Sequence, residues 1–532
     1  AWKIHLIGNA RHTIDLAYYI FDRDTVGYAM LGALCAAVRR GVDVRLVVDS
    51  IGSLHPTHAE LKALVTCADG AGALRTPSGR QLTQRARAQV VLFNAVSNLS
   101  GQLKSLGRRI ANVFRKTPKP RISIKLNRRL HDKLLVVDGE FPSRGAVVIG
   151  GRNVSNHYFG IREDGSPDPD SYRDVELLLM PPRAASNAGV GAIAARYFQI
   201  LFLHLGNKDL QPRSLARNFG VYRRQRERFM AALARIRSIP GFSRAYRAIG
   251  NELDGHMRNS TVRLAHELTN LTSRRAATSA AKNLLSNPNS IMRQMLGFDG
   301  RPEFATLRLV SPYLFFVRFW DGPGDPAIDE ARYLREWVEG DPRRRIEIVS
   351  NSVLTTDNHL AQALIDMEMA PRLLLDDELR ERWQRSLRGG EFNTELVGGE
   401  SWRKAVGHPQ IFFYQTGRID SHLIGPGATH YGKLHAKFFI ADDTGFVGTT
   451  NFDYRSRILN NEAGFFFTDA ELSADLDSEF ERLKSMSYRW GSPEWLQMRR
   501  ALMARGGFKS KVTRWQRMVY RFLHGFYLSW LI

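Results

Sequence analysis

The chain has few cysteines and no long apolar run. Its 532 residues include only two cysteines, Cys35 and Cys67, which excludes a disulfide-built scaffold and leaves the redox compartment open. Cys35 lies in an apolar, helix-like stretch, so we expect a packed small side chain there rather than a reactive thiol. No window of 18 or more consecutive apolar residues occurs, so the sequence predicts no membrane-spanning helix within this chain.

Acidic residues are missing from one long segment. Between Gly70 and His131 there is no Asp or Glu, but there are fourteen Lys or Arg. The whole chain carries 76 Lys and Arg against 53 Asp and Glu, a net charge of +23. A one-signed run of this length predicts an anionic partner rather than only a solvated face. An anionic lipid surface and a nucleic acid backbone both remain open as that partner.

The first residues and the length give two further expectations. The chain begins without Met, inside an apparent helix, which predicts a processed or truncated N-terminus and leaves room for an upstream signal or anchor. A chain of 532 residues also predicts more than one domain.

One motif occurs twice, with a histidine, a lysine two residues later and an aspartate five residues after the lysine. The copies, 304 residues apart, are His131, Lys133 and Asp138, and then His435, Lys437 and Asp442. In each copy the histidine opens an apolar run, and a second apolar run ends in a glycine that precedes an asparagine, Asn153 or Asn451.

These apolar runs are typical of buried strands. A histidine and a lysine two residues apart on a strand point to the same face of the sheet. The duplication therefore predicts a repeated fold that places two histidines and two lysines in one pocket.

The same repetition extends to the surrounding elements. Residues 14–21 predict a strand, 27–40 a helix and 42–49 a second strand, and the second half repeats this order at 305–315, 327–339 and 343–351. A β-α-β order predicts a parallel strand pair. We therefore predict an α/β fold made of two pseudo-symmetric repeats that form one core.

Four domains follow from this organisation. We predict an N-terminal repeat at 1–184, a helical insertion at 185–302, a C-terminal repeat at 303–490 and a basic amphipathic tail at 491–532, with a further helical excursion at 361–405. The tail spaces its large apolar residues by three or four positions: Trp515, Val519, Phe522, Phe526 and Trp530. This pattern favours a helix on a membrane surface over one that only docks on the core.

The double HxKxxxxD motif resembles the phospholipase D superfamily. The sequence GGRN after the first copy, and NFDYRS with a later NNE after the second, resemble its bacterial cardiolipin synthase branch, especially the C-type enzymes. The resemblance covers roughly residues 1–180, 303–360 and 430–470. It implies two phospholipase D-like repeats and a metal-independent enzyme, so no metal and no other cofactor is expected.

The motif residues suit phosphoryl chemistry. One imidazole can attack phosphorus, and the other can protonate the leaving alkoxide and then deprotonate the incoming alcohol. Symmetry leaves open which histidine attacks, and the resemblance assigns His131 as nucleophile and His435 as acid/base. The remaining candidates would hold the phosphoryl oxygens, by charge or by amide hydrogen bonds: Lys133, Lys437, Asn153 and Asn451.

Further candidates support this set. A carboxylate on the far nitrogen would orient each histidine. Glu462 follows His435 where the family often carries such a group, and Asp174 is the matching candidate after the first motif, with Glu176 as runner-up. The resemblance implies that Asp138 and Asp442 are structural. Two weaker candidates either bind substrate phosphate or cap a helix: Arg455 and Ser456.

These observations favour a phosphatidyltransferase, with cardiolipin synthesis as the main hypothesis. The expected substrates are phosphatidylglycerol and, as a further donor, phosphatidylethanolamine, at the surface of the bacterial inner membrane. Hydrolysis by a phospholipase D and cleavage by a metal-independent nuclease or phosphodiesterase are the alternatives. A membrane scaffold with a decayed site is disfavoured because both motifs are intact.

Overall fold

A computed structural model describes residues 1–53, 58–95, 128–182, 189–212, 215–272, 287–295, 304–316, 318–319, 328–386, 393–418 and 433–525. These residues form two compact units. The first contains the described residues of Ala1–Ser105, Lys125–Asp168 and Glu176–Leu264. The second contains Pro169–Val175 and the described residues of Ala265–Ile532. Most of the acid-free segment, residues 96–127, lies outside the described residues.

The first unit is built around a mixed sheet with helices on it. Its helices are α1 (Trp2–Asn9), α2 (Thr25–Arg40), α3 (Ala59–Val65), α4 (Asn156–Phe159), α5 (Gly189–Phe202), α6 (Leu215–Ser238) and α7 (Pro240–Gly255). Its strands are β1 (Thr13–Tyr18), β2 (Asp43–Asp49), β3 (Ala73–Arg75), β4 (Gln81–Arg85), β5 (Ala88–Phe93), β6 (Lys133–Val137), β7 (Ala146–Gly150), β8 (Glu176–Leu179) and β9 (Lys208–Asp209). A 3₁₀ turn follows α3 at Thr66–Gly70.

The remaining elements follow in chain order. The strands are β10 (Thr261–His266), β11 (Thr306–Val310), β12 (Arg318–Phe319), β13 (Ile328–Asp329), β14 (Arg345–Ser350), β15 (Ile411–Thr416), β16 (Phe438–Ala441), β17 (Thr444–Gly448), β18 (Ala463–Thr468) and β19 (Ser487–Arg489). The helices are α8 (Thr269–Thr272), α9 (Ile291–Met295), α10 (Glu330–Glu339), α11 (His359–Leu364), α12 (Ala370–Leu374), α13 (Asp377–Ser386), α14 (Thr394–Gly398), α15 (Glu400–Val406), α16 (Tyr454–Ile458), α17 (Ala470–Ser485), α18 (Pro493–Arg505) and α19 (Gly507–Gly525). A π-helical turn, Ile365–Met369, joins α11 to α12.

The two large sheets share one strand order. The first runs β8-β7-β6-β1-β2-β5-β9 and the second β10-β18-β17-β16-β11-β14-β15-β19. In the first, β1 is parallel to β2 and antiparallel to β6. In the second, β11 is parallel to β14 and antiparallel to β16. The prediction of two α/β repeats is therefore confirmed, and strand β10 is an element that the sequence reading did not foresee.

Local sequence explains why the first β-α-β unit forms where it was expected. The Asp24 carboxylate accepts a hydrogen bond from the Gly27 N–H at 2.9 Å and caps the start of α2. Gly41 ends the helix with φ 96°, and a Cβ there would lie 2.2 Å from the Ala73 carbonyl oxygen. Only glycine satisfies both demands at this position.

The two cysteines are bonded to each other. Cys35 of α2 and Cys67 of the 3₁₀ turn form a disulfide, and both are buried. Cys35 is packed in the core, as expected, but the sequence did not indicate its bond to Cys67. The reason is tertiary, because α3 and the turn after it fold back onto α2, and a separation of 32 residues gives no sequence signal of that contact.

The second unit buries a charged network beneath α19. Asp366 pairs with Arg499 at 2.7 Å and also accepts hydrogen bonds from three glutamines, Gln362, Gln415 and Gln516. Both charged residues are almost fully buried. Four tryptophans pack beside one another in the same core: Trp383, Trp402, Trp490 and Trp495.

The tail forms the helix α19, which has two different faces. Tyr520 and Leu523 are buried, and Val519 packs against the same core. Large apolar side chains on the other face are exposed: Phe508, Trp515, Met518 and Phe522. The helix therefore docks on the core and also presents an apolar stripe. Phe526 and Trp530 lie outside the described residues.

Within the described residues, no helix combines the length and the apolar character that crossing a membrane requires.

Candidate active site

The first motif lies where β6 begins. Lys133 is the first residue of β6, and its Nζ donates a hydrogen bond to the His131 carbonyl at 2.6 Å. The Tyr19 ring packs edge-on against the His131 ring, with centroids 5.1 Å apart. Asn153 follows β7 and accepts a hydrogen bond from the Ile20 N–H at 3.1 Å through Oδ1. The first unit therefore gathers His131, Lys133 and Asn153 at the same ends of its central strands.

The second motif repeats this arrangement just before β16. The Lys437 ammonium donates to the His435 carbonyl, as Lys133 does to His131. His435 Nδ1 lies 2.8 Å from Asp174 Oδ2. Because the carboxylate only accepts, Nδ1 carries the hydrogen of the neutral ring, and Nε2 is the nitrogen that can exchange a proton. The Lys437 Nζ, 3.0 Å from the same Nδ1, is then a neighbouring charge rather than a donor to it.

Asp174 contacts the histidine of the second motif, whereas the sequence suggested that it orients the histidine of the first motif. The segment Pro169–Val175 belongs to the second unit. Backbone hydrogen bonds hold it there, since Arg173 N–H donates to the Lys433 carbonyl and His435 N–H donates to the Arg173 carbonyl, at 2.7 and 2.8 Å. The runner-up, Glu176, is paired with Lys3 at 2.5 Å.

Glu462 is fully buried and holds the loop after β17. Its carboxylate accepts hydrogen bonds from the hydroxyls of Thr449 and Ser456, each at 2.7 Å. The Ser456 N–H also donates to Asp453 at 2.8 Å, which caps α16. Both polar groups of Ser456 are thus engaged inside the protein, whereas Arg455 of the same helix is half-buried.

The motif aspartates bind backbone rather than the histidines. Asp138 accepts hydrogen bonds from the N–H groups of His12 and Thr13 at 2.7 and 2.9 Å. Asp442 accepts from the N–H of Thr306 at 3.0 Å. Both aspartates have positive φ, 50° and 52°. Each carboxylate therefore ties the turn after the motif strand to the start of the first strand of its repeat.

Burial tunes the charges around the second motif. It lowers the pKa of Lys437 to about 8, although the carboxylates of Asp174 and Glu462 act in the opposite direction. Asn451, also buried, has a side-chain Oδ1 that makes no hydrogen bond within the described part of the chain.

Three residues near His435 were not predicted from the sequence. The Tyr172 ring packs edge-on against the His435 ring at 5.2 Å, and its hydroxyl donates to Asp357 at 2.6 Å. Tyr313 donates to the other oxygen of the same carboxylate. The segments that hold these residues belong to the family resemblance, but nothing in their spacing connects them.

The other histidines have ordinary surroundings. His157 is exposed near Asp168, and His408 Nδ1 accepts hydrogen bonds from the N–H groups of Gln410 and Ile411. His430 lies outside the described residues. Among the residues that the structure describes, no group of three or more His, Cys, Asp or Glu side chains is arranged to hold a metal ion.

The chain is similar to known proteins. The family model described as "Cardiolipin synthase, PLD-like domain" matches residues 4–164 and 342–484. Cardiolipin synthase C of Escherichia coli is 25% identical over 100% of this chain and 93% of its own length. Cardiolipin synthase 1 of Staphylococcus aureus is 23% identical over 32% of this chain and 25% of its own length.

A solved structure supports the fold. The phosphatidylserine synthase of Haemophilus influenzae superposes with a TM-score of 0.53 at 13% identity, covering 99% of this chain and 92% of that one. Because the family model matches more than half of the residues, the chain belongs to the family of cardiolipin synthases with a phospholipase D-like domain.

Proposed function

We propose that the protein is a phospholipase D-type phosphatidyltransferase that acts on phospholipids as a cardiolipin synthase. The observation that carries this proposal is the duplicated histidine and lysine pair, with one histidine oriented by a buried carboxylate at 2.8 Å. The family match supports the reaction class. The similarity of the whole chain to cardiolipin synthase C of Escherichia coli supports the product.

The reaction proceeds in two displacements. His131 attacks the phosphorus of a phospholipid, a P–N bond forms, and the P–O bond to the headgroup breaks as His435 gives its proton to the leaving oxygen. The hydroxyl of a phosphatidylglycerol then gives its proton to His435 and attacks phosphorus. The new P–O bond releases His131 and yields cardiolipin. Water in place of the alcohol gives phosphatidic acid.

The other residues lower the barrier by electrostatics. Lys133 and Lys437 place positive charge near the phosphoryl oxygens, and Asn153 and Asn451 add amide donors. Asp174 holds the ring of His435 and stabilises its protonated form. In this assignment His131 is the nucleophile, and phosphatidylglycerol and phosphatidylethanolamine are the proposed donors.

Two exposed apolar surfaces of the protein support peripheral contact with the inner membrane of a bacterium. On α19, Trp515 and Phe522 are 59% and 54% exposed, and the helix carries five Lys or Arg and no acid. On α5 and the residues after it, Ile200, Leu203 and Leu205 are exposed, with no acid between 189 and 207. Apolar stripes with flanking cations suit an anionic lipid surface.

The test is a lipid assay in EDTA. The purified protein is incubated with vesicles of phosphatidylglycerol, with and without phosphatidylethanolamine, and the products are analysed by mass spectrometry. Cardiolipin is expected, and phosphatidic acid marks hydrolysis. Absence of both products, together with metal-independent cleavage of DNA that both histidine variants abolish, would replace the proposal with a nuclease.

A further inference from the structure

An open carboxylate lies beside the second catalytic histidine. Asp357 precedes α11, and its two oxygens accept hydrogen bonds from the hydroxyls of Tyr172 and Tyr313. Three separate segments of the second unit thus converge on one carboxyl group. Asp357 remains accessible to solvent, although many protein atoms surround its carboxyl group.

This carboxylate is charged. Burial alone would raise the pKa of Asp357, but the two phenol hydrogen bonds and the nearby His435 lower it below its ordinary value. An ionised carboxylate only accepts hydrogen bonds, and each of its oxygens has a second acceptor position. It therefore repels a phosphate group and attracts hydroxyl or ammonium groups.

The surroundings favour hydroxyl groups over a second cation. The Lys433 ammonium already lies 4.6 Å from the centre of the Tyr172 ring and pairs with Asp170 at 3.1 Å. A ligand ammonium at this place would meet that charge. A polyol meets no such repulsion, because its hydroxyl is neutral and can donate a hydrogen bond to Asp357.

We propose that Tyr172, Tyr313 and Asp357 form the subsite that binds the free hydroxyl of a polyhydroxy acceptor alcohol. The inference rests on the proposed transfer reaction, in which His435 takes the proton of the entering alcohol. That alcohol must then lie next to the His435 ring, where Tyr172 packs. A glycerol headgroup attacks with one hydroxyl and places another on Asp357, whereas a simple alcohol has no second hydroxyl to place.

The experiment measures acceptor choice. Phosphatidylglycerol vesicles containing ethanol let one donor form cardiolipin or phosphatidylethanol, and the ratio of these products reports acceptor selection. We expect Asp357→Asn to lower the ratio about tenfold or more, because a hydrogen bond to a charged group is lost. Tyr172→Phe and Tyr313→Phe each lower it by a smaller factor. Asp377→Asn, at an exposed aspartate of α13, is the matched control.

The outcomes separate the two hypotheses. If the Asp357 and tyrosine variants lose both products in equal proportion, the cluster positions His435 and the acceptor subsite is overturned. An unchanged ratio in a folded Asp357→Asn protein overturns it as well. If the wild-type protein makes neither product, the transfer reaction itself fails and the subsite with it. Thermal unfolding of each variant identifies a folding defect. If Asp357→Asn does not fold, the product ratios of Tyr172→Phe and Tyr313→Phe test the subsite in its place.

Discussion

Two helices occupy equivalent places in the two repeats but expose different surfaces. Helix α5 packs on β1, β2, β6 and β7, and α17 packs on β14, β15, β16 and β17. The outer face of α5 exposes Ile193 and Ile200, whereas α17 carries five acidic residues. Since α17 shows that this position needs no apolar outer face, the apolar face of α5 supports the proposed contact with a lipid surface.

The repeats also differ in what stabilises them. The first contains the Cys35–Cys67 disulfide, and the second contains the buried Asp366–Arg499 pair. Their central strands and motif contacts are nevertheless alike. The shared frame therefore supports the chemistry, while the surfaces and the stabilising contacts have diverged.

The largest expected effect distinguishes the two motif histidines. We expect His435→Ala to slow transfer by about 10²–10⁴-fold, the range of general acid–base catalysis. His131→Ala should cost at least as much, because no covalent intermediate can form. Mass spectrometry of enzyme quenched during turnover should find the phosphatidyl adduct on His131. An adduct on His435 would reverse the assignment, and His157→Ala, at an exposed histidine, is the control.

The next effect concerns the stability of the second repeat. Asp366→Ala leaves the Arg499 guanidinium buried without its carboxylate, and we expect a loss of about 3–5 kcal/mol in the free energy of unfolding. Urea denaturation followed by tryptophan fluorescence reports it, because four tryptophans pack in that core. Asp377→Ala removes only an exposed partner of Arg380 and should cost about 1 kcal/mol or less. Equal losses in both variants would contradict the argument.

The disulfide provides the matching test in the first repeat. A bridge that spans 32 residues should contribute about 3–4 kcal/mol, mainly by restricting the unfolded chain. The double variant Cys35→Ala, Cys67→Ala should lose that amount in urea denaturation, and dithiothreitol should reproduce the loss in the wild type. Hydrogen exchange should show faster opening of α2. No change with either treatment would mean that the bond does not form in solution.

The sequence predicted the parts of this molecule that depend on local pattern. Apolar runs and the β-α-β order located the repeated units, and the repeated motif predicted two α/β repeats. Contacts between distant segments were not predictable. The disulfide, the placement of Asp174 on His435 and the convergence on Asp357 all depend on how loops return to the sheet, which no spacing encodes.

The second motif lysine should make the activity depend on pH. Because burial lowers the pKa of Lys437 to about 8, its ammonium is lost as the pH rises through that value. We expect kcat/KM to fall above about pH 8, by up to tenfold per unit. Lys437→Arg keeps the positive charge, so it should move this alkaline fall in kcat/KM to higher pH. It should also lower the maximal kcat/KM. If Lys133→Arg moves the alkaline fall in kcat/KM instead, the titrating group lies in the first repeat.

The smallest expected effect tests the outer face of α5 against that of α17. Leu203, 74% exposed just after α5, should enter the lipid surface, so Leu203→Glu should weaken binding to anionic vesicles about five- to hundredfold, equivalent to about 1–3 kcal/mol. Ala474→Glu on the exposed side of α17 adds the same charge and should change binding little, because that face already repels an anionic surface. Vesicle flotation measures both variants. Equal weakening of vesicle binding by both variants would mean that net charge, and not an inserted apolar face, governs the contact. The contrast between the two helices would then have no role in binding lipid.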